Sequence, residues 1–247
     1  MLQWLENRCD WLFAGDPPTS QGMTHDPIST RPDLVIFDCD GVLVDSETIA
    51  NEVLAIAVSE LGWPTTTADS HRRFRGLSWP STIAIIESEI GTRVPEEWVQ
   101  RSRERMHTSI YETVTAIPGV ADVVARVEAE NIPRCVGSSS QPDYLAHVLG
   151  RAGLDHHFGE AVFSATMVAK GKPAPDLFLF AASQMGHAPH RAVVIEDTVP
   201  GVQAGMAAGM RVIGYAGDPH TDGNALADAG AVVVRDMAEV PSLLGLG

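Results

Sequence analysis

Two aspartates, Asp38 and Asp40, stand two residues apart immediately after the apolar run Leu34-Val35-Ile36-Phe37, with Gly41 behind them. In an extended chain residues i and i+2 point to the same side, and glycine permits the sharp exit that lets both carboxylates face one space. Converging carboxylates of this kind hold a cation or divide the work of an acid and a base. The same Asp-x-Asp-Gly string occurs in calcium loops, and with Gly41 at the sixth loop position Glu47 would take the twelfth. Ile36 would then fill the first position, where it offers no ligating oxygen, so the calcium loop is set aside.

Further polar points follow other apolar runs. Ser138 and Ser139 come after Pro133-Arg134-Cys135-Val136-Gly137, Lys172 lies in a loop beyond Ala161-Val162-Phe163, and Glu196-Asp197 closes Ala192-Val193-Val194-Ile195. Of seventeen basic residues the only lysines are Lys170 and Lys172, so a chain that otherwise uses Arg sets both compact ammonium groups within three residues. Carboxylates in excess suit a hard cation such as Mg²⁺, and a hydroxyl with a lysine suits the remaining oxygens of a phosphate. Taken singly, Ser138 reads equally as a strand-end cap and Glu196-Asp197 as a helix start. Their joint occurrence at strand ends points to one pocket.

The elements that must position these groups follow from periodicity. Residues 47 to about 117 are helical in pattern, with Ile49, Val53, Leu54, Ala57 and Leu61 on one face and Ile83, Ile86 and Ile90 on another, broken by Gly62, Pro64, Gly76, Pro80, Gly91 and Pro95. From Ile117 onward, helices (about 119–130, 142–152, 176–186 and 199–208) alternate with strand-like runs at 133–137, 161–163, 192–195 and 211–215. Ala231-Val232-Val233-Val234 is expected as an edge strand. Such alternation predicts an α/β fold with a doubly wound parallel sheet, whose carboxyl edge is where open sheets bind ligands. The expected division is an N-terminal extension over 1–31, a core from 32–47 and 118–241, and an inserted all-helical domain over 48–117.

Composition bounds the partners. A net charge of −15 argues against nucleic acid, no apolar run reaches the roughly 18 residues of a membrane span, and the first residues lack a basic start with an apolar core. A cytoplasmic protein, monomer or weak homodimer, acting on a small molecule is expected. Cys9, Cys39 and Cys135 are too widely spaced for a disulfide framework or a zinc pattern. The nine histidines show no metal spacing and are expected at the surface or in loops.

The strings DCDGVLVDSE from Asp38, SSS from Ser138, GKPAPDLF from Gly171 and VIEDT ending at Thr198 resemble, in that order, the haloacid dehalogenase superfamily in its phosphotransferase majority. The resemblance covers roughly 33–240 and implies a Rossmann-like core with a helical cap, as in the β-phosphoglucomutase and phosphoglycolate phosphatase branch. It implies Asp38 as nucleophile, Asp40 as general acid/base and Ser138, Ser139 and Lys172 as phosphate ligands. It also implies Mg²⁺ held by Asp38, the Asp40 backbone carbonyl and Asp197 with Glu196 beside it. True dehalogenases lack the second acid and the metal, so Asp40 argues for phosphate. By the same resemblance Phe74-Arg75-Gly76-Leu77-Ser78 is the cap's specificity loop, with Arg75, Gly76 and Ser78 as substrate contacts. The cluster Arg72, Arg73 and Arg75 would meet a second anionic group, or would simply pair with nearby acids. The expected activity is a Mg²⁺-dependent phosphatase for a sugar or sugar-acid phosphate, working through an aspartyl phosphate. A β-phosphoglucomutase-like mutase is the alternative. Ala50 and Trp79 stand where that mutase has a histidine and an arginine, which favours hydrolysis. A non-catalytic member would have lost Asp38, Asp40 or Lys172, and all three are present.

Overall fold

The computed structural model of the chain describes residues 31–74 and 77–246. Arg75, Gly76 and the expected N-terminal extension, with Cys9, lie outside the described residues, apart from Arg31 at the end of that extension.

Six strands form one parallel sheet: β1 (Leu34–Phe37), β2 (Arg134–Ser138), β3 (Val162–Ser164), β4 (Ala192–Glu196), β5 (Arg211–Tyr215) and β6 (Val232–Val234), in the order β3-β2-β1-β4-β5-β6. The short apolar runs are strands because both faces are covered. Val35 and Phe37 pack into one hydrophobic cluster with α5 (Val120–Ala129), α6 (Pro142–Arg151) and α11 (Val240–Leu243). Leu34 and Ile36 face the opposite cluster, with α8 (Asp176–Met185), α9 (Val199–Ala207) and α10 (Gly223–Asp228). α7 (Asp155–Phe158) closes the end of the first layer through Phe158. The expected edge strand is present as β6. The helix α10 was not expected, because its apolar signal is a single buried side chain, Leu226.

Between β1 and α5 the chain forms α1 (Ser46–Glu60), α2 (Thr67–Phe74), α3 (Trp79–Ile90) and α4 (Glu96–Thr113). These helices pack around their own cluster of Leu54, Ala57, Val58, Phe74, Ile86, Val94, Trp98 and Val99. Their two ends meet: Val44 bridges Ala116, Asp45 N–H donates to the Thr115 carbonyl at 3.0 Å and Ile117 N–H to that of Leu43 at 3.0 Å. Among the described residues no helix is long and apolar enough to cross a membrane.

Candidate active site

The strand order reverses between β1 and β4, because β2 and β3 lie on one side of β1 and β4 to β6 on the other. Ligands bind in the crevice at such a switch point. Asp38 and Asp40 leave β1 there, and Glu196 and Asp197 leave β4 beside them. Ser138 ends β2 one strand away, and Lys172 reaches in from the loop after β3. Together with Glu47, Ser139 and Thr198 these residues line one cavity of about 180 Å³. Residues as far apart as Asp38 and Asp197 thus share one enclosure, as the parallel-sheet expectation requires.

The ammonium of Lys172 sits between two carboxylates, donating to Asp38 Oδ1 at 2.7 Å and Glu196 Oε1 at 2.8 Å. All three side chains are buried. Burial alone would push the Lys172 ammonium toward neutrality. The charges of Asp38 and Glu196 outweigh it, so its pKa lies above the usual lysine range. Burial raises the Asp38 carboxyl, Lys172 opposes that rise and the nearby Glu196 charge adds to it, leaving a net increase. Glu196 Oε2 accepts from Thr198 N–H at 2.7 Å and Thr198 Oγ at 2.8 Å. Both Glu196 oxygens therefore position neighbours, in addition to lying close to Asp38 and Asp197.

Asp40 is held differently. Its carboxylate accepts from Ser46 Oγ at 2.6 Å, Tyr144 Oη at 2.6 Å and Ser140 Oγ at 2.8 Å. Tyr144 is 104 residues away in sequence, and its burial together with the Asp40 charge raises the phenol above its usual range. Sequence reasoning missed Tyr144, Ser46, Ser140 and Thr198 as site residues. Ser46 and Ser140 lay inside quoted strings, but Tyr144 carried no spacing signal.

Two glycines show how tightly the site is built. Gly41 has φ +80°, and a Cβ there would stand 2.3 Å from Asp197 Oδ2. At Gly201 a Cβ would meet Glu196 Oε1 at 1.7 Å. The first glycine was read for its turn and the second was not singled out. Oxygen atoms of Asp38, Glu196 and Asp197 lie within 4.8 Å of one another. This all-oxygen, all-buried donor set, cradled by Gly41, fits a hard divalent cation such as Mg²⁺.

A second cavity of about 130 Å³ shares Glu47 with the first and is otherwise lined by the helical segment, through Ala50, Asn51, Leu54, Phe74, Trp79, Thr82 and Met106 on its helices and Leu77 between α2 and α3. Asn51 is pinned between the Glu47 carbonyl at 2.9 Å and the Ser70 hydroxyl at 2.8 Å.

The expected specificity loop is brought to the site only in part. Arg75 and Gly76 lie outside the described residues. Ser78 is the N-cap of α3, accepting from Ser81 N–H at 3.3 Å, and is not among the residues lining either cavity. Arg72 pairs with Asp69, and Arg73 with Glu89 at 3.2 Å while lying over the Trp63 ring. For these two arginines the structure shows pairing with acids one turn or one helix away. Cys39 and Cys135 are buried, which pushes both thiols up and leaves them packing roles.

The expectation for the histidines fails at His71. It is buried on α2 and stacks on His220, with ring centroids 4.6 Å apart. An isolated histidine on an amphipathic helix gives no sign of such a partner 149 residues on.

Residues 35–215 match the family described as haloacid dehalogenase-like hydrolase. The chain is 29% identical over 192 residues to the 6-phosphogluconate phosphatase of Escherichia coli (strain K12), covering 77% of this chain and 86% of that protein. It is 30% identical over 211 residues to a phosphorylated carbohydrates phosphatase of Thermotoga maritima, covering 85% and 97%. Among solved structures, a HAD family hydrolase from Deinococcus radiodurans R1 with bound phosphate and sodium superposes with a TM-score of 0.81 at 35% identity, over 90% of this chain and 98% of that one.

Proposed function

The chain belongs to the haloacid dehalogenase-like hydrolase family, and from that premise we propose that it is a Mg²⁺-dependent phosphatase for a sugar or sugar-acid phosphate, working through an aspartyl phosphate on Asp38. The observation that carries the reading is the Lys172 ammonium, held 2.7 Å from Asp38 and 2.8 Å from Glu196 at the switch point, with a second carboxylate two residues on.

A phosphate monoester dianion repels a carboxylate nucleophile, so the transferring group must be neutralised before Asp38 can attack. Lys172 supplies one positive charge at the Asp38 oxygen, and Ser138 adds a hydroxyl donor on the cavity wall. Asp38, Asp197 and the Asp40 backbone carbonyl, with Glu196 beside them, would hold Mg²⁺, which when bound would supply further charge stabilisation for the phosphoryl oxygens. Asp38 attacks phosphorus and the ester oxygen leaves with a proton from Asp40. Asp40 then takes a proton from the water that attacks the aspartyl phosphate, so one hard displacement becomes two. Tyr144, Ser46 and Ser140 hold the Asp40 carboxylate in the cavity wall, which fixes where that proton is delivered.

Segment 48–117 is read as the cap, and the adjoining cavity as the place for the sugar. The relatives' substrates, 6-phosphogluconate and phosphorylated carbohydrates, support this class. Ala50 and Trp79 line that cavity; by the resemblance they stand where the mutase has a histidine and an arginine, which supports hydrolysis. The test is phosphate release from a panel of sugar, sugar-acid and small-acid monophosphates, with Mg²⁺ and with EDTA, for wild type and Asp38→Asn. Mg²⁺-dependent release from a narrow group that is lost in Asp38→Asn is the expected result. Interconversion of sugar phosphates without release would replace this reading by the mutase.

A further inference from the structure

We propose that His71, Asp218 and His220 form a second cation site, selective for a borderline first-row ion such as Zn²⁺ or Co²⁺, that ties the helical segment to the loop after β5. One ligand atom from each of the three lies within 4.8 Å of the others. His71 Nδ1 stands 3.9 Å from Asp218 Oδ2. Donors of one tetrahedral ion, each at about 2.1 Å, are about 3.4 Å apart, so this pair needs to close by about half an ångström. The rings are stacked at 16° to one another, so their in-plane nitrogen lone pairs run nearly parallel, and ligation by both requires the exposed His220 to turn out of the stack.

The loop is shaped to present the two core ligands together. His220 N–H donates to Asp218 Oδ1 at 2.7 Å, and Thr221 N–H to the Asp218 carbonyl at 3.0 Å. This turn engages Oδ1, and Oδ2 lies on the side of His71. On α2 the neighbouring Arg72 and Arg73 are drawn off by Asp69 and Glu89.

Donor chemistry separates this site from the one at the sheet edge. Two imidazoles and a carboxylate favour Zn²⁺, Co²⁺, Ni²⁺ or Cu²⁺, whereas the all-oxygen set of Asp38, Glu196 and Asp197 suits Mg²⁺. An ion at the new site has one ligand on α2 and two on the core loop, so it cross-links the segment to the sheet. Resting on the phosphatase reading, bound Zn²⁺ then slows any turnover that requires the segment to move, without displacing Mg²⁺.

The experiment titrates the full chain with Co²⁺ in excess Mg²⁺, following binding heat and the visible absorption of imidazole-ligated Co²⁺. One Co²⁺ per chain is expected. Loss even of groups that merely orient a metal's ligands costs about 10–100-fold in affinity, so His220→Ala, which removes a ligand, is expected to weaken binding by about 100-fold or more. The same variant keeps Mg²⁺-dependent phosphate release within about twofold of wild type and raises half-inhibition by Zn²⁺ by a matching factor. His220 is exposed, so this variant reports even if the buried His71→Ala fails to fold. No Co²⁺ uptake, a spectrum of oxygen ligands alone, or uptake unchanged in His220→Ala each overturns the site. The binding titration needs no substrate, so it stands or falls separately from the phosphatase reading.

Discussion

The sheet edge and the helical segment face each other across Glu47, and they treat polar groups in opposite ways. At the sheet edge the buried Lys172 ammonium donates to the buried Asp38 and Glu196 carboxylates, and Asp40 is fixed by three hydroxyls. The cavity beneath the helices is walled mainly by Ala50, Leu54, Phe74, Leu77, Trp79 and Met106, with its one amide, Asn51, committed to Glu47 and Ser70. Buried charges persist only where partners compensate their lost hydration, which makes the sheet edge rigid and intolerant of change. An apolar wall selects by shape and tolerates substitution at modest cost. Changes at the sheet edge should therefore act on kcat, and changes among the helices on KM.

The sharpest way to break that division is Asp38→Asn, for which single-turnover phosphate release should fall on the order of 10⁴-fold or more with the fold intact. Activity within tenfold of wild type would remove Asp38 as nucleophile. Lys172→Met comes next. Steady-state assays should show kcat reduced about 10²–10³-fold. Thermal melts without metal should show a loss of about 3–5 kcal/mol, because Asp38 and Glu196 are left buried without their counter-charge. A Lys172→Met protein as stable as wild type would show that the pair is not energetically coupled.

Tyr144→Phe sharpens the comparison within the sheet edge. Removing one hydroxyl from Asp40 should lower kcat by about tenfold for sugar phosphates. The pre-steady-state burst of p-nitrophenolate from p-nitrophenyl phosphate, whose leaving group needs no proton and which precedes the water step, should change by less than about twofold. Equal losses on both substrates would make Tyr144 a structural residue and not a positioning one. Among the helices, Trp79→Ala should leave kcat unchanged and raise KM for the best sugar phosphate about fivefold, the equivalent of about 1 kcal/mol of partly buried aromatic contact.

A further effect concerns pH. In the metal-free protein burial raises Asp38 from 3.8 to about 7. Between those values the folded state binds more protons than the unfolded one, so stability falls as pH rises through that window. Asp38→Asn should lack that contribution and melt higher than wild type above pH 7 without metal, by roughly 3 °C for each kcal/mol relieved. A wild type whose metal-free melting temperature rises from pH 4 to 7 relative to Asp38→Asn would reverse the sign and discard the burial argument.

Much of the sheet edge was legible because its signals are local. Leu34–Phe37 and Ala192–Ile195 are apolar without alternation, which marks strands covered on both faces, and acid follows each run at once. Parallel pairing then brings their ends together wherever they fall in the chain. The glycine after Asp40 was readable for the same reason, since a turn is needed at that point.

What the sequence by itself determined was the parallel sheet, the helical segment after the first strand and the residues that meet at the carboxyl edge, because periodicity and burial act over a few residues. Only the tertiary structure decided that Tyr144 holds Asp40, that Glu196 divides its oxygens between Lys172 and Thr198, that Gly201 is small because Glu196 fills its space, and that His71 lies against His220. These contacts depend on how neighbouring elements pack and turn, and a side chain carries no mark of what will be set against it from a distant stretch of chain.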